Sequence, residues 1–295
     1  MGEGAEFPMT NPQVPSVEPV SRLATGFSFL EGPVWLKDHQ ALLFTDIPGN
    51  SILRWRSESR VDVWLSASHF AIGLSRRFNG DVLCCEHVTR SLTALGVAAD
   101  GSHDGTRTVL ARGVAGVPLN STNDVIECPD GTILFTDPAF GVRVEDGELH
   151  GYEQAMERSC DVLSVTDDAD NAAVYVTGVH RPNGLCLSPN GETLYITDSS
   201  TRFHRVLVVE HPGAPAEPLW TMPVGVPDGI VTDSSGFIWV AGGDGVYLLS
   251  PDGEQVGHIP VPEMVSNLCF GGADGHTLFI TATSSLYSAR TSATG

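Results

Sequence analysis

Apolar residues along this chain come in short runs of about four to eight, each ended by Gly, Asp, Asn or Pro. Runs of this length, rich in β-branched and aromatic residues, are typical of strands rather than helices. The composition agrees, because the 295 residues include 32 glycines and 19 prolines. The pattern therefore predicts an all-β fold.

One pair of runs recurs six times, as a short apolar strand, a polar turn that usually carries glycine, and a stronger second strand. The copies are EGPVWLKDHQALLFTD from Glu31, IGLSRRFNGDVLCCEH from Ile72, NDVIECPDGTILFTDP from Asn123, NGLCLSPNGETLYITDS from Asn183, DGIVTDSSGFIWVAGG from Asp228 and NLCFGGADGHTLFITA from Asn267. Their starts lie 39 to 60 residues apart, which suits four-stranded units of roughly 40 residues with variable loops. A sandwich would not repeat one hairpin in this way.

We therefore predict a single six-bladed β-propeller over residues 21–290, preceded by a loose tail over residues 1–20. The sequence is compatible with two ways of closing the ring. The final TLFITATSSLYSAR supplies the outer strands of the last blade, or RLATGFSFL from the other end of the chain joins it. Either closure leaves no long free sheet edge.

The first residue of each copy is polar in five of the six copies, where Val or Ile would be expected. The innermost strand of a propeller blade lines the central channel, so these residues are expected to be neighbours around one axis. Carboxylate and carboxamide oxygens are the ligands of hard divalent ions such as Ca²⁺ or Mg²⁺. The sequence thus predicts a metal site in the central channel, with Asn183 among its ligands.

A structural explanation of the same residues is also open. Asn and Asp before Gly form turns, and they cap strand entries through bonds from side chain to backbone. Glu31 is not a turn former, and its occurrence at an equivalent point favours the metal site. Asn267 lacks a following Gly or Asp and is left out of the expected ligands.

Charge and cysteine usage narrow the class of partner. The formal net charge is −20, and so acidic a surface repels nucleic-acid backbones and anionic lipid. The sequence contains no run of about 18 apolar residues, so we expect no membrane-spanning helix. The tail lacks the basic and apolar regions of a secretory signal. The six cysteines show no C-x-x-C spacing. We expect a cytoplasmic protein, a monomer or weak homo-oligomer, that acts on a small molecule.

The same motifs carry a family resemblance over about 260 residues, in order. EGPVW, FTDIPGNSILRW, LCCEH, LNSTNDVIECPDGTILFTDPAFGV, PNGLCLSPNGETLYITDS, PDGIVTDSSGFIWVA and NLCFGG together resemble the gluconolactonase, senescence-marker-protein (regucalcin) and luciferin-regenerating-enzyme family. The resemblance implies a six-bladed propeller with a divalent metal in its channel and hydrolysis of sugar lactones. It implies Glu31, Asn183 and Asp228 as the core ligands, with Asn123 a fourth ligand or a contact through water.

Two departures from the family pattern concern substrate binding. In VPLNSTND, Thr122 stands where bacterial gluconolactonases usually have Pro, and Pro118 stands near an expected basic residue. Animal members place a sugar-binding Arg about where Ser121 falls. The resemblance therefore implies the metal site more firmly than the sugar specificity.

A divalent ion with open coordination positions can polarise a lactone carbonyl and stabilise the oxyanion that forms on hydrolysis. The resemblance implies that Asp228 binds the metal and takes the proton from the attacking water. A carboxylate held by a cation is a weak base, so a hydroxide on the metal, oriented by Asp228, is an alternative nucleophile. Ca²⁺ is the expected ion, with Mg²⁺, Mn²⁺ and Zn²⁺ as alternatives.

Further candidates lie on loops expected at the same end of the channel. Asn120, Ser121 and His87 are candidate substrate-binding residues, as are His150, Tyr152 and Glu153 in the polar insertion at 143–160. For His87 a structural role is equally open, and the insertion could be a solvated loop.

Motifs of covalent serine catalysis, phosphate loops, zinc helices and dinucleotide folds are missing from the sequence. The leading hypothesis is a metal-dependent lactonase that opens a sugar lactone such as gluconolactone. The alternatives are an enzyme of the same fold that acts on another ester, a phosphotriester or a secondary metabolite, and a non-enzymatic calcium-binding propeller.

Overall fold

The computed structural model describes residues 13–57, 60–140, 142–145, 148–151, 158–167 and 171–295, with the backbone alone over 142–151. Six four-stranded antiparallel sheets follow one another around a central axis. The prediction of an all-β, six-bladed propeller is confirmed. The helical structure in the described residues is a single 3-10 turn, Lys37–His39, and none of it is a helix that could cross a membrane.

The strands follow the chain blade by blade, and the first of them, β1 (Ser21–Thr25), belongs to the last blade. Blade 1 contains β2 (Leu30–Leu36), β3 (Ala41–Asp46), β4 (Ser51–Arg56) and β5 (Arg60–Ser66). Blade 2 contains β6 (Ala71–Arg76), β7 (Val82–Glu86), β8 (Ser91–Val97) and β9 (His103–Ala111). A small ladder of β10 (Gly113–Val114) and β11 (Val117–Pro118) follows.

Blade 3 begins with β12 (Val125–Glu127) and β13 (Ile133–Asp137), is interrupted by a hairpin of β14 (Val142–Glu145) and β15 (Glu148–Gly151), and continues with β16 (Asp161–Val165) and β17 (Ala173–Val176). Blade 4 contains β18 (Pro182–Leu187), β19 (Leu194–Asp198), β20 (Arg205–Val209) and β21 (Glu217–Thr221). Blade 5 contains β22 (Ile230–Thr232), β23 (Ile238–Gly242), β24 (Gly245–Leu249) and β25 (Gln255–Pro260). Blade 6 contains β26 (Val265–Gly271), β27 (Thr277–Ala282) and β28 (Ser285–Arg290).

The ring closes with a strand from the other end of the chain, the second of the two closures that the sequence left open. Strand β1 pairs antiparallel with β28, from Ser21 opposite Ser288 to Thr25 opposite Ser285. The pairing continues into the predicted loose tail, because the Glu18 N–H donates to the Arg290 carbonyl at 2.8 Å. The boundary of the tail at residue 20 is therefore corrected. Backbone groups of residues 16–18 find partners on the last blade instead of water.

The core lies between the blades rather than at the axis. Buried apolar residues form six clusters, each shared by two neighbouring sheets. At the closure between blades 6 and 1, the Trp35 ring stacks on Phe279 with 5.3 Å between their centroids. Because apolar side chains pack sideways between sheets, the axis remains available to the residues that begin each inner strand.

The inner strands are β2, β6, β12, β18, β22 and β26, and each copy of the sequence repeat begins within two residues of the first residue of one of them. In four blades the pairing of the inner strand with its neighbour shifts register at or beside the repeat start, near Glu31, Ile72, Asn183 and Asn267. A β-bulge of this kind bends the strand and redirects a side chain. In three of these four blades the irregularity lies at or beside a polar repeat start.

Candidate active site in the central channel

A cavity of about 540 Å³ occupies the end of the channel at which the inner strands begin. All four predicted metal ligands line it, together with the predicted substrate-binding residue His87. Its other polar lining residues are Arg181, Ser199 and Thr201. Its apolar lining consists of Phe29, Ile47, Pro48, Ile72, Phe140, Val226 and Met264.

Glu31 lies at the base of this cavity with 3% of its surface exposed. Its Oε2 accepts hydrogen bonds from the Gly32 N–H at 2.6 Å and from Asn267 Nδ2 at 2.9 Å. Burial raises the pKa of Glu31 to about 7, and these two hydrogen bonds oppose the shift. Asn267, which the sequence left out of the ligand set, is thus a hydrogen-bond donor that holds Glu31.

Asn183 and Asp228 form a second pair, from blades 4 and 5. The Asn183 carboxamide donates a hydrogen bond to the Asp228 carboxylate. Burial raises the pKa of Asp228 well above its ordinary value, and the negative charge of Glu31 raises it further. The two carboxylates therefore lie close enough for their charges to interact.

Threonine hydroxyls from neighbouring blades hold the backbone of these residues. Thr136 Oγ1 on β13 donates to the Asn183 carbonyl at 2.8 Å, and Thr197 Oγ1 on β19 donates to the Asp228 carbonyl at 2.6 Å. Both threonines are completely buried. Each hydroxyl joins one blade to the inner strand of the next, so the position of a candidate ligand is set by the preceding blade.

An Asp follows Thr136, Thr197 and the equivalent Thr45 of blade 1. Each of these aspartates fixes the loop before the inner strand of its own blade. Asp46 accepts the Phe29 N–H at 3.1 Å, Asp137 accepts the Ser121 N–H at 2.9 Å and Asp198 accepts the Arg181 N–H at 3.1 Å. Each acceptor binds the residue two positions before Glu31, Asn123 or Asn183. The FTD, FTD and ITD triplets in the sequence therefore mark the residues that hold these loops. The prediction of the ligands did not depend on them.

Glycines after the polar residues allow the inner strands to approach one another. A Cβ atom at Gly184 would lie 2.6 Å from the Asp228 carbonyl oxygen, and one at Gly229 would lie 2.1 Å from Asn267 Oδ1. Neither distance is compatible with a larger residue unless the backbone moves. The NG and DG dipeptides therefore serve close packing around the axis, which also brings the four candidate ligands together.

The chemistry of the donor set fits a hard divalent cation. It offers two carboxylates and two carboxamides, and no Lys or Arg side chain in the described structure is ion-paired with Glu31 or Asp228. The described residues contain no group of three or more His, Cys, Asp or Glu side chains placed to hold a metal ion. The candidate set has only two such side chains, because its other two members are the carboxamides of Asn123 and Asn183. Carboxylate and carboxamide oxygens favour Ca²⁺ or Mg²⁺ over Zn²⁺.

His87 follows strand β7 and is only 3% exposed. Neither ring nitrogen has a hydrogen-bond partner among the described residues. Burial lowers the pKa of His87 to about 4, so the imidazole is neutral at pH 7. The structure places this residue in the wall of the same cavity as the candidate ligands.

Asn120 and Ser121 occupy a different place from the one expected. Asn120 Nδ2 donates to the carbonyls of Asp137 at 3.0 Å and Ser159 at 3.2 Å, and Ser121 is completely buried. Neither residue lines the cavity. The side-chain hydrogen bonds of Asn120 support the segment that carries Asn123. A substrate contact by Asn120 or Ser121 stays a prediction.

The predicted residues of the insertion cannot be placed at the cavity. His150 belongs to β15, for which the backbone alone is described, and Tyr152 and Glu153 lie outside the described residues. Phe140, immediately before this segment, does line the cavity, and the Arg181 guanidinium lies 5.4 Å from its ring centroid. Arg181 directly precedes the PNG of blade 4 and is a further polar residue of the cavity.

Asp124 shows that the two ends of the channel differ. It does not line the active-site cavity but a separate one of about 360 Å³, formed by residues further along the inner strands. Its Oδ2 accepts the Leu185 N–H at 3.1 Å, and burial raises its pKa to about 7. Asp124 and the four candidate ligands therefore line different cavities.

Known proteins resemble this chain in sequence and in fold. The family model described as SMP-30/Gluconolactonase/LRE-like region matches residues 29–284. The chain is 27% identical to a gluconolactonase of Zymomonas mobilis over 94% of its own length and 82% of the relative. It is 29% identical to the pentonolactonase XacC of Haloferax volcanii, over 85% of its own length and 80% of that protein.

Among solved structures, a gluconolactonase from Xanthomonas campestris superimposes with a TM-score of 0.80 at 31% identity. The match covers 92% of this chain and 89% of that one. Both the sequence and the arrangement of blades are thus similar along nearly the whole chain.

Proposed function

Because this chain belongs to the SMP-30/gluconolactonase/LRE-like family, we propose that it is a lactonase that hydrolyses sugar lactones with a divalent metal ion in its central channel. Relatives named gluconolactonase and pentonolactonase, each matched over most of its length, support an enzyme of this class and a sugar-derived substrate. The observation that carries the proposal is the convergence of Glu31, Asn123, Asn183 and Asp228 on one cavity.

In this proposal those four residues hold the ion. Glu31 is oriented by Gly32 and Asn267, and Asp228 by the Asn183 carboxamide and the Thr197 hydroxyl. When bound, a divalent ion supplies Lewis-acid catalysis, since it polarises the lactone carbonyl and stabilises the charge that develops on its oxygen. Ca²⁺ is the ion that suits this donor set best.

Asp228 is the residue that handles the proton. Its carboxylate lies at the cavity wall, where it orients a water molecule and accepts a proton as the water oxygen bonds to the carbonyl carbon. The bond between that carbon and the ring oxygen then breaks, and the proton passes to the ring oxygen. The product is a hydroxy acid, which loses one proton to the solvent at neutral pH.

The direct test is the initial rate of acid release from a panel of lactones. Chelator-treated protein is compared with protein reloaded with Ca²⁺, Mg²⁺, Mn²⁺ or Zn²⁺, and the spontaneous rate is subtracted. We expect rapid hydrolysis of glucono-, xylono- or arabinonolactone only after reloading. Glu31→Gln should lower the rate at least ~10-fold, whereas the matched Glu254→Gln, an exposed residue near β25, should not.

Failure of every metal-loaded form to open any sugar lactone, with the ion shown to be bound by calorimetry, would reject the proposal. A bound ion without turnover of any ester would favour a calcium-binding propeller. A location in the cytoplasm also belongs to the proposal and is supported by six cysteines that are all free.

One observation favours a second substrate class. Seven of the fifteen residues lining the cavity are apolar, and Phe29, Ile47, Phe140, Val226 and Met264 offer surface to an alkyl or aryl group. Such a lining suits the alternative of another ester or a secondary metabolite. The lactone panel should therefore include alkyl-substituted lactones and aryl esters, and faster turnover of these than of sugar lactones would identify the second class.

A further inference from the structure

His87 differs from every other buried polar side chain without a hydrogen bond in the described structure. The others are the indole nitrogens of Trp35 and Trp55, the Ser121 hydroxyl and one oxygen of Asp161, and none of these residues lines the active-site cavity. His87 lines it and is 97% buried, with both ring nitrogens unpartnered. Because native proteins satisfy nearly all buried polar groups, such a residue calls for an explanation.

Hydrogen bonds hold the backbone of His87 at the end of strand β7. Its N–H donates to the Phe70 carbonyl, and its own carbonyl accepts the Arg90 N–H at 3.2 Å in a tight turn. The preceding residue, Glu86, accepts hydrogen bonds from Thr93 at 2.9 Å and Arg107 at 2.7 Å. The imidazole therefore extends into the cavity wall from a strand end whose backbone is hydrogen-bonded.

The hydrogen-bonding capacity of this ring selects a particular ligand chemistry. A neutral imidazole has one donor and one acceptor nitrogen. A hydroxyl group, which both donates and accepts, matches it, whereas a methylene group leaves both nitrogens unpaired. A site with buried polar groups rejects a ligand that lacks the matching group more strongly than an apolar pocket rejects an added hydroxyl.

We propose that His87 binds a hydroxyl group of the substrate and makes the site selective for hydroxylated over deoxygenated lactones. This inference rests on the proposed lactonase function and assigns the polar end of the substrate to the His87 wall.

The test compares two lactones of the same ring size, D-glucono-1,5-lactone and δ-valerolactone, which carries no hydroxyl groups. His87→Phe keeps a ring but removes both nitrogens, and His87→Gln keeps a donor and an acceptor. The matched control is His211→Phe, at an exposed histidine that does not line this cavity. We divide kcat/KM for D-glucono-1,5-lactone by kcat/KM for δ-valerolactone, and we expect His87→Phe to lower this ratio by ~10- to 100-fold. Most of the change should be a fall in kcat/KM for D-glucono-1,5-lactone. His87→Gln should restore part of the ratio, and His211→Phe should leave it unchanged.

A binding measurement separates this inference from the function on which it rests. 1,5-Anhydro-D-glucitol has the hydroxylated ring without a bond to hydrolyse, and tetrahydropyran is the same ring without hydroxyls. Calorimetry on metal-loaded protein should show that the wild type prefers 1,5-anhydro-D-glucitol and that His87→Phe loses ~10-fold in its affinity. If the wild type opens no lactone, the proposed function fails while this comparison still decides the role of His87.

Three results would overturn the inference. The first is an unchanged preference in His87→Phe for both the lactones and the two ring probes. The second is an equal loss of kcat/KM for both lactones, which would indicate a structural or catalytic role. The third is a fall in metal affinity of His87→Phe in calorimetry, which would make His87 a ligand of the ion.

Discussion

The hydrogen bond between Thr197 and the Asp228 carbonyl gives a prediction whose size follows from the structure. Thr197 is completely buried, and its hydroxyl is the donor seen 2.6 Å from that carbonyl oxygen. Thr197→Val keeps the shape of the side chain and removes the donor. A buried carbonyl that loses its partner costs about 1–3 kcal/mol, so we expect the free energy of unfolding to fall by about 2 kcal/mol.

The same substitution should act on the metal site. Without its hydrogen bond, the backbone of Asp228 is held less firmly, and groups that orient a metal ligand typically contribute 10- to 100-fold to affinity or activity. We expect Thr197→Val to weaken metal binding and turnover by at least ~10-fold. Unfolding in urea, followed by tryptophan fluorescence, measures the first effect, and calorimetric titration of chelator-treated protein with Ca²⁺ measures the second.

Blade 1 offers a matched control for this experiment. Thr45 is also completely buried, and its hydroxyl donates to the Ile72 carbonyl at 3.0 Å. Ile72 occupies the repeat start of blade 2 and has no oxygen in its side chain. Thr45→Val should therefore cost a similar free energy of unfolding and leave metal affinity within about threefold. Equal losses of metal affinity in the two variants, or an unchanged stability of Thr197→Val, would refute the reasoning.

Three further predictions concern charge, acid and packing. Asp228→Asn should abolish turnover while the protein stays folded by circular dichroism, whereas the exposed Asp252→Asn should retain full activity; a large loss of melting temperature without loss of rate would indicate a structural ion. Burial opposes ionisation of Glu263, but hydrogen bonds from Ser285, Ser284 and Tyr287 lower its pKa to about 2, below the unfolded value. Its stabilising effect should be complete above about pH 4.5 and lost as the pH falls to about 2. The melting temperature of Glu263→Gln should therefore lie below that of the wild type at pH 7 and approach it only near pH 2; a constant difference would contradict this. Gly184→Ala should lower both stability and turnover because its Cβ would lie 2.6 Å from the Asp228 carbonyl oxygen, and wild-type values would disprove that the strands are so closely packed.

The blade count could be predicted because each blade repeats one local pattern. The hairpin formed by β2 and β3, and its equivalents, needs only nearby residues: alternating apolar positions and a turn with glycine. The polar residue at the start of each copy could also be recognised, since Glu31 and Asn183 interrupt an otherwise apolar pattern. Their meeting in one cavity follows from the topology once the ring is assumed.

The roles of individual side chains could not be predicted in the same way. Asn120 and Ser121 lie close in sequence to Asn123, but the Asp137 carboxylate draws their N–H groups into the protein and away from the cavity. Arg181 lines the cavity, but its position just before Asn183 in the sequence leaves both substrate contact and packing between blades open. The difference lies in the direction of a side chain, which depends on partners in other strands.

The sequence by itself determined the all-β class, the six repeats and the set of polar residues that begin them, because these depend on short-range periodicity and turn formation. Tertiary structure alone decided which end of the chain closed the ring, which carbonyl each buried threonine binds, and which residues face the cavity. Those outcomes depend on contacts between residues as far apart as Ser21 and Ser288. In a propeller, neighbours around the axis come from different blades, so the site is assembled by packing between repeats that no single stretch of sequence encodes.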